Sequence, residues 1–342
     1  MQVYKLPNGD YELADFAARK KDDWLHLVWV ITHQCSLSCP YCIGWKSPSP
    51  VPTLLNSPGG VSAFVGRMEK LREMAKKNVY LTITGGEPVL VPEIAQLCAE
   101  LGKRKFVLEM QSNLITNKFI EWINCVDPKS VGLVETTYHG WKLDTNEQLR
   151  NVYVNNFNKA VELGFPCALK TIVLPSEVSA FPKKLQWLKT LIPHNSPIVP
   201  LSFISGVPKS ITESNGAYPQ AYTEEERKVL LSVMQYRRVS QQMHWMGAGF
   251  FQGMRCSAGK NYAYMDILGN IYPCIGVLGG TSKIGDFNSS VFNFKTDTIV
   301  CPSKYCACAL FGLWYGVNPW DYIPGNKKED AYYCKYGPSA GM

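Results

Sequence analysis

A short segment with three closely spaced cysteines constrains this chain more than any other feature of its sequence. Cys35, Cys39 and Cys42 stand in the run Cys-Ser-Leu-Ser-Cys-Pro-Tyr-Cys, with three residues and then two between them. Thiolates are the usual ligands of iron–sulfur clusters, and this spacing allows them to hold three irons of a cubic [4Fe–4S] cluster. The fourth iron would then have no protein ligand, and an open metal position is where a catalytic site binds its small molecule.

Zinc binding and buried free thiols are the plainer interpretations of the same cysteines. Structural zinc sites usually close with four ligands arranged in two close pairs. No fourth Cys or His stands at a suitable local spacing in this segment, although His33 is near. The spacing therefore favours a cluster.

A second motif lies downstream, in Thr82-Ile-Thr-Gly-Gly-Glu-Pro88. It ends a predicted strand, and the cysteines likewise follow an apolar run at Leu25–Thr32 that reads as a buried strand. Together these features resemble the radical SAM superfamily, in which a CxxxCxxC loop follows the first barrel strand. In that family a GGE-type motif follows the second strand and holds the methionine end of S-adenosylmethionine (SAM). Tyr41 fits the aromatic residue expected before the last cysteine.

The resemblance implies a mechanism and a set of site residues. Cys35, Cys39 and Cys42 would hold the catalytic cluster, which cleaves SAM reductively to a 5′-deoxyadenosyl radical that abstracts a substrate hydrogen. The residues expected to bind SAM are Tyr41, Gly85, Gly86, Glu87, Pro88, Ser112, Asn113 and Lys170. For Lys170, a solvated or substrate-facing lysine is an equal alternative. Thr137 and His139 are candidates to face the substrate.

Strands and helices alternate from about residue 25 to 240, which predicts parallel strands joined by crossover helices. The predicted strands are Leu25–Thr32, Val79–Thr84, Phe106–Gln111, Val131–Tyr138, Ala168–Leu174 and Ile198–Ile204. The predicted helices are Val61–Lys77, Pro92–Leu101, Phe119–Ile123, Asn146–Leu163, Phe181–Leu191 and Thr223–Tyr236. By resemblance, this α/β pattern is a partial (β/α)6 radical SAM barrel, with the functional loops at the carboxyl ends of the strands.

The remainder of the chain is rich in cysteine and turns. Cys256, a hairpin around Leu268-Gly-Asn, then Pro-Cys274 and Ile284-Gly-Asp resemble the SPASM/twitch extension of radical SAM enzymes. The usual SPASM run Cys-x2-Cys-x5-Cys is absent, which favours the shorter twitch form with one auxiliary [4Fe–4S] cluster. The candidate ligands are Cys256 and Cys274 first, Cys306 and Cys308 next, and Cys301 and Cys334 as substitutes. A zinc knuckle that only staples a small subdomain is the alternative.

These features predict four regions along the chain. They are an N-terminal extension at 1–24, the barrel at 25–240, a linker at 241–255 and a small cysteine-rich α+β domain at 256–342. Because the first strand begins near residue 25, we expect no N-terminal leader-peptide-binding domain. The N-terminus has no signal-peptide core and no long apolar stretch is present, which predicts a cytoplasmic protein without a membrane span.

Composition and charge indicate which classes of binding partner to expect. The formal charge is +7, and the short basic runs are scattered, so nucleic acid is a weak expectation. The expected partners are SAM, a small-molecule or peptide substrate, and a flavodoxin- or ferredoxin-like reductant. Six C-terminal cysteines favour a fully ligated auxiliary cluster, and hence an oxidoreductase in which that cluster assists oxidation or cross-linking. An RNA-modifying radical SAM enzyme and a non-catalytic iron–sulfur or zinc protein are the alternatives.

Overall fold

The computed structural model describes residues 3–5, 11–13, 23–42, 54–56, 59–203, 218–234, 255–275 and 282–301. A short antiparallel pair, β1 (Val3–Lys5) and β2 (Tyr11–Leu13), comes first. Six strands then match the six predicted ones within a few residues. They are β3 (Trp24–Thr32), β4 (Asn78–Gly85), β5 (Val107–Ser112), β6 (Val131–Thr137), β7 (Cys167–Val173) and β8 (Ile198–Ser202).

The predicted helices are also confirmed, and one short helix is added to them. The helices are α1 (Gly60–Ala75), α2 (Ile94–Lys103), α3 (Lys118–Cys125), α4 (Gly140–Leu143), α5 (Glu147–Glu162), α6 (Phe181–Leu191) and α7 (Glu224–Val233). Helix α4 was not predicted, because four residues are too few for a periodic apolar pattern. Thr223 and Glu226 form a reciprocal capping box at the start of α7. None of the helices described here is both long and apolar enough to cross a membrane.

The six strands β3 to β8 pair in parallel and in chain order, which confirms the partial-barrel architecture. Both faces of such a sheet are covered, so its strands carry long apolar runs. On β3, Leu25, Leu27, Trp29 and Ile31 are fully buried in the main core, and Trp29 stacks on Phe64 of α1 at 4.4 Å between ring centroids. Alternate residues of each strand point to the opposite face, which is the barrel lumen.

Of the six C-terminal strands, four continue the barrel sheet and two form a separate antiparallel pair. They are β9 (Arg255–Cys256), β10 (Tyr262–Met265), β11 (Asn270–Tyr272), β12 (Gly285–Asp286), β13 (Val291–Phe292) and β14 (Ile299–Val300). Strand β10 pairs in parallel with β3, and β11, β12 and β13 follow in antiparallel order. The predicted hairpin between β10 and β11 is confirmed, with Gly269 at φ +86° and the Asp266 carboxylate accepting from the Leu268 and Asn270 N–H groups.

The predicted domain boundaries stay a prediction. Residues 241–254 of the expected linker lie outside the described residues. On the described side of that boundary, Phe287 packs on Phe64 of α1 at 4.6 Å between ring centroids. The segment from β10 to β13 therefore shares both a sheet and core packing with the barrel.

Candidate functional site

The three N-terminal cysteines lie in one loop at the carboxyl end of β3, where the sequence predicts them. Cys39 is buried, and Cys35 and Cys42 are half-buried. The Cys42 N–H donates to the Cys39 carbonyl at 3.2 Å, and the Leu37 N–H donates to Cys35 Sγ at 3.4 Å. Burial raises the pKa of the Cys35 thiol, while the Leu37 N–H bond lowers it by less. A cluster held here would bind Cys35 as the thiolate, with loss of the thiol proton.

The donor set of this loop is three thiols, the usual ligands of iron–sulfur clusters. Among the residues that the structure describes, no three His, Cys, Asp or Glu side chains converge closely enough to hold one metal ion. In a cubic cluster each thiolate binds a different iron, so the three sulfurs lie farther apart than the ligands of one ion. Cys35, Cys39 and Cys42 supply one thiol for each of three irons.

The Gly-Gly-Glu turn after β4 packs directly against the cysteine loop. The Gly86 N–H donates to the Thr32 carbonyl at 2.8 Å, and the Glu87 N–H donates to the Gln34 carbonyl at 2.7 Å. A Cβ on Gly85 would overlap the carbonyl oxygen of Thr32, and one on Gly86 would overlap that of Gln34. The sequence suggested that these glycines admit a ligand; in the structure, the group that approaches them is the backbone of the cysteine loop.

The Glu87 side chain supports the same region through hydrogen bonds to the end of β5. Its buried carboxyl accepts from Ser112 Oγ and from the Asn113 N–H, each at 2.8 Å. Burial raises the pKa of Glu87 to about 7, although these bonds and the Val89 N–H act against the shift. Asn113 Nδ2 in turn donates to Ser36 Oγ at 3.1 Å, which ties β5 to the cysteine loop. The SAM-binding roles of Glu87, Ser112 and Asn113 stay predictions, as does that of Pro88, which starts a buried 3-10 turn.

His139 and Tyr41 meet beside Cys39. His139 Nδ1 lies 3.3 Å from Cys39 Sγ and 3.1 Å from the Tyr41 hydroxyl, and the two rings stack at 6.1 Å between centroids. Burial, with a smaller contribution from the positive charge of Lys170, lowers the pKa of His139 to about 4. The imidazole is therefore neutral at pH 7. The sequence placed His139 only as a candidate to face the substrate, and its contact with the cysteine loop was not predicted.

A chain of polar side chains crosses the barrel lumen beneath this loop. Lys170 Nζ donates to Glu135 Oε2 at 2.9 Å, and Gln111 Nε2 reaches the same oxygen at 3.0 Å and Glu109 Oε1 at 3.1 Å. Thr84 Oγ1 donates to Gln111 Oε1 at 2.8 Å. Lys170 is thus paired within the lumen, and its predicted contact with the SAM carboxylate stays a prediction.

Sequence reasoning missed three members of this chain: Glu109, Gln111 and Glu135. Charged and amide residues within otherwise apolar strands, at alternate positions on β5, were the available signal. Glu109 and Glu135 are both buried. A buried carboxylate is stable only with hydrogen-bond partners, which Gln111 and Lys170 supply here.

The C-terminal cysteines form a second group. Cys256 and Cys274 are buried together with Tyr262, and Cys301 packs against them because β14 pairs with β9. Burial raises the pKa of Cys256 to about 12, with the neighbouring Cys274 and Cys301 adding to the shift. The predicted proximity of Cys256 and Cys274 is therefore observed, and Cys301, predicted only as a substitute, joins them. Three further candidates lie outside the described residues: Cys306, Cys308 and Cys334.

The fold, though not the sequence, matches solved structures. No protein-family model matches the chain, and no curated protein sequence matches it. Streptococcus suis SuiB has a TM-score of 0.54 at 13% identity, covering 78% of this chain and 64% of SuiB, so the chain spans less than two thirds of that structure. SuiB bound to S-adenosylmethionine matches at the same TM-score and identity over 93% of this chain and 71% of SuiB. Native anSMEcpe with bound AdoMet matches at a TM-score of 0.55 and 13% identity, covering 77% of this chain and 78% of anSMEcpe.

SuiB and anSMEcpe are each solved with S-adenosylmethionine (AdoMet) bound. The chain has the fold of these structures, as the resemblance of its cysteine and glycine motifs to the radical SAM superfamily implies.

Proposed function

We propose that this protein is a radical SAM enzyme that oxidises or cross-links its substrate. One observation carries the proposal: the CxxxCxxC loop leaves the first strand of a parallel partial barrel, and the Gly-Gly-Glu turn of the second strand is hydrogen-bonded against it. In such barrels the functional groups lie at the carboxyl ends of the strands. Fold and motif therefore support the same function independently.

Cys35, Cys39 and Cys42 would hold the catalytic [4Fe–4S] cluster. When bound with SAM, such a cluster supplies the electron that releases a 5′-deoxyadenosyl radical, which removes a hydrogen atom from the substrate. Residues of this chain support the cysteine loop. Gly86 and Glu87 are hydrogen-bonded to the loop backbone, and the ring of Tyr41 packs with His139 beside Cys39. Tyr41, Gly85, Gly86, Glu87 and Pro88 are proposed to line the SAM pocket, with Ser112, Asn113 and Lys170 nearby.

The C-terminal cysteines are proposed to hold an auxiliary [4Fe–4S] cluster that takes one electron from the substrate. Cys256, Cys274 and Cys301 already lie together, and a fourth ligand would come from Cys306, Cys308 or Cys334. Full ligation leaves no iron open to substrate, which favours electron acceptance over substrate binding. A redox-neutral product formed with one equivalent of 5′-deoxyadenosine per turnover would rule out this electron-acceptor role.

For the substrate, we propose a peptide as the first class to test and a small molecule as the second. One SuiB structure is bound to the precursor peptide SuiA, and one anSMEcpe structure holds AdoMet and the Kp18Cys peptide. Those structures share this fold at low sequence identity, so the peptide class rests on the resemblance. The ion pair between buried Glu135 and half-buried Lys170 places charged groups in this lumen, which suits a polar substrate group in either class.

The test is SAM cleavage by the anaerobically reconstituted, reduced protein. We expect 5′-deoxyadenosine and methionine from the wild type and none from the Cys35→Ala/Cys39→Ala/Cys42→Ala variant. The exposed Cys125 gives a matched control, because Cys125→Ala removes a thiol outside both cysteine groups and should leave SAM cleavage unchanged.

Absence of 5′-deoxyadenosine from a wild type carrying its full iron content would contradict the enzyme proposal and favour an iron–sulfur carrier. Zinc in place of iron at all sites would favour a structural role. Transfer RNA retained through purification at moderate salt would favour the RNA-modifying alternative.

A further inference from the structure

His139 stands on a segment that the fold holds firmly. The residue before it, Tyr138, is fully buried, and its hydroxyl donates to Asp144 Oδ1 at 2.9 Å. Lys184 Nζ bridges Asp144 Oδ2 at 2.7 Å and Glu177 Oε1 at 2.9 Å. The Tyr138 N–H also donates to the Lys170 carbonyl at 2.7 Å. These contacts therefore hold the imidazole of His139 in one position beside the cysteine loop.

The contact that His139 makes there joins residues 100 positions apart in the chain. Its Nδ1 lies 3.3 Å from Cys39 Sγ, within hydrogen-bond distance for a sulfur acceptor, and 3.1 Å from the Tyr41 hydroxyl. A thiolate bound to iron has no hydrogen to donate, so a bond between these two atoms requires the proton on Nδ1. We propose that His139 is a positioning residue that donates its Nδ1–H to the Cys39 sulfur and thereby sets the reduction potential of the catalytic cluster.

This inference rests on the proposed function, because it requires Cys39 to be a cluster ligand. Hydrogen bonds to the cysteine sulfurs are among the factors that set the potential of an iron–sulfur cluster. A donor withdraws electron density from the thiolate and stabilises the reduced, more negative state. Loss of the His139 donor should therefore make the potential more negative and the reduced state harder to reach.

The other sulfur with a short donor in the described loop is different in kind. Cys35 Sγ receives the Leu37 N–H at 3.4 Å, a backbone bond within the loop itself, and a longer bond from Asn113 Nδ2 at 3.9 Å. The donor to Cys39 comes instead from the strand end of β6, across the mouth of the barrel. Replacing one side chain therefore removes a donor without altering the sequence of the cysteine loop.

The experiment measures the midpoint potential of the reconstituted cluster by redox titration followed with electron paramagnetic resonance. Cys256→Ala/Cys274→Ala/Cys301→Ala is used as the background so that C-terminal cysteines do not contribute a second signal. In this background, His139→Phe removes the donor, His139→Asn keeps an amide N–H near the position of Nδ1, and Tyr41→Phe removes the competing hydroxyl. Iron content and SAM cleavage are measured on each protein.

The parent protein is the triple-cysteine background without further change. We expect His139→Phe to shift its potential to a more negative value at unchanged iron content, and His139→Asn to return the potential toward the parent value. Tyr41→Phe should leave the potential unchanged or raise it, because the imidazole N–H is then directed to sulfur alone. Equal potentials for His139→Phe and the parent would overturn the inference. So would a Tyr41→Phe shift as negative as that of His139→Phe, since it would assign the effect to the hydroxyl.

The two proposals fail differently. A cluster that cleaves SAM but shows no shift in His139→Phe overturns the role of His139 alone. A cluster that shows the shift but never cleaves SAM overturns the enzyme proposal and leaves the role of His139 standing. A parent protein that binds no cluster overturns both.

Discussion

The two cysteine groups of this chain are built in opposite ways. Cys35, Cys39 and Cys42 stand on a single loop, and that loop is held from outside by β4, β5 and the segment after β6. Cys256, Cys274 and Cys301 come from separate places in the chain and are gathered by the pairing of β9 with β14 and by the β10–β11 hairpin. The first group depends on the support of its loop, whereas the second depends on the assembly of strands.

The difference has a consequence for how each group responds to substitution. Damage to the Gly-Gly-Glu turn should disable the N-terminal loop and leave the C-terminal group in place. Damage to the attachment of the C-terminal strands should do the reverse. The two cysteine groups are not fully independent, because β10 pairs with β3 and both groups are therefore attached to one sheet.

Gly86→Ala should have the largest effect and should break the N-terminal group alone. A Cβ there would overlap the Gln34 carbonyl, so the backbone of the turn or of the cysteine loop must shift. We expect a loss of roughly 3 kcal/mol or more in the free energy of unfolding, together with loss of the iron bound by Cys35, Cys39 and Cys42.

Urea unfolding and iron analysis check the Gly86→Ala prediction. The control is Gly66→Ala, in the middle of α1, where a Cβ meets nothing within 4 Å. That change should stabilise the protein by about 0.5–1 kcal/mol. A Gly86→Ala protein as stable and as iron-rich as the wild type would show that the close contact between turn and loop is not needed.

The second prediction concerns pH, because the buried carboxyl group of Glu87 supports the N-terminal cysteine group. Burial raises the pKa of Glu87 from its usual 4.5 to about 7. Between these values the unfolded chain releases a proton that the folded protein keeps, so rising pH favours unfolding. The stability of the wild type relative to Glu87→Gln should therefore fall from below pH 4.5 to above pH 7, by on the order of 3 kcal/mol.

Urea unfolding of the two cluster-free proteins across this pH range gives the comparison. The difference between the two proteins isolates Glu87 from the other groups that titrate. A difference that stays constant with pH would mean that the Glu87 carboxyl ionises normally despite its burial.

The smallest expected effect belongs to the attachment of the C-terminal group. Buried Asn261 donates its side-chain N–H to the Trp24 carbonyl at 3.3 Å, which links the loop after Cys256 to the first barrel strand. Asn261→Ala should lower the free energy of unfolding by about 1–2 kcal/mol. It should also speed thiol labelling of Cys256 and Cys274 in cluster-free protein and leave the labelling rate of Cys35 unchanged.

Mass spectrometry of labelled peptides measures these rates one cysteine at a time. Thr190→Ala is the control, because its hydroxyl bond to the Trp187 carbonyl is exposed and should contribute little. Equal acceleration at Cys35 and Cys256 would show that the two groups open together and would contradict their independence.

Much of the fold was predictable because its signals are local. Apolar periodicity located six strands and the helices between them, and Leu268-Gly-Asn located the hairpin that follows Tyr262. The pairing of β10 with β3 was not predictable in this way, since it joins residues more than 200 positions apart. No local pattern encodes which distant edge a strand will choose.

The same division holds for the candidate site. The spacing of Cys35, Cys39 and Cys42 and the Gly-Gly-Glu motif are local, and they were sufficient to locate the loop and the turn. The contact of His139 with Cys39 and the reach of Asn113 to Ser36 depend on how three strand ends are arranged in space. Side chains that support a motif from elsewhere in the chain are therefore the part that sequence reasoning misses.

We propose that the chain carries two separate iron–sulfur sites and that only the N-terminal one cleaves SAM. The most direct measurement is iron content and 5′-deoxyadenosine formation after anaerobic reconstitution of the wild type and of the two triple Cys→Ala variants. We predict about eight irons in the wild type and about four in each variant, with 5′-deoxyadenosine lost only when Cys35, Cys39 and Cys42 are replaced. About four irons in the wild type, unchanged when Cys256, Cys274 and Cys301 are replaced, would contradict the second site. SAM cleavage that survives without Cys35, Cys39 and Cys42 would contradict the first.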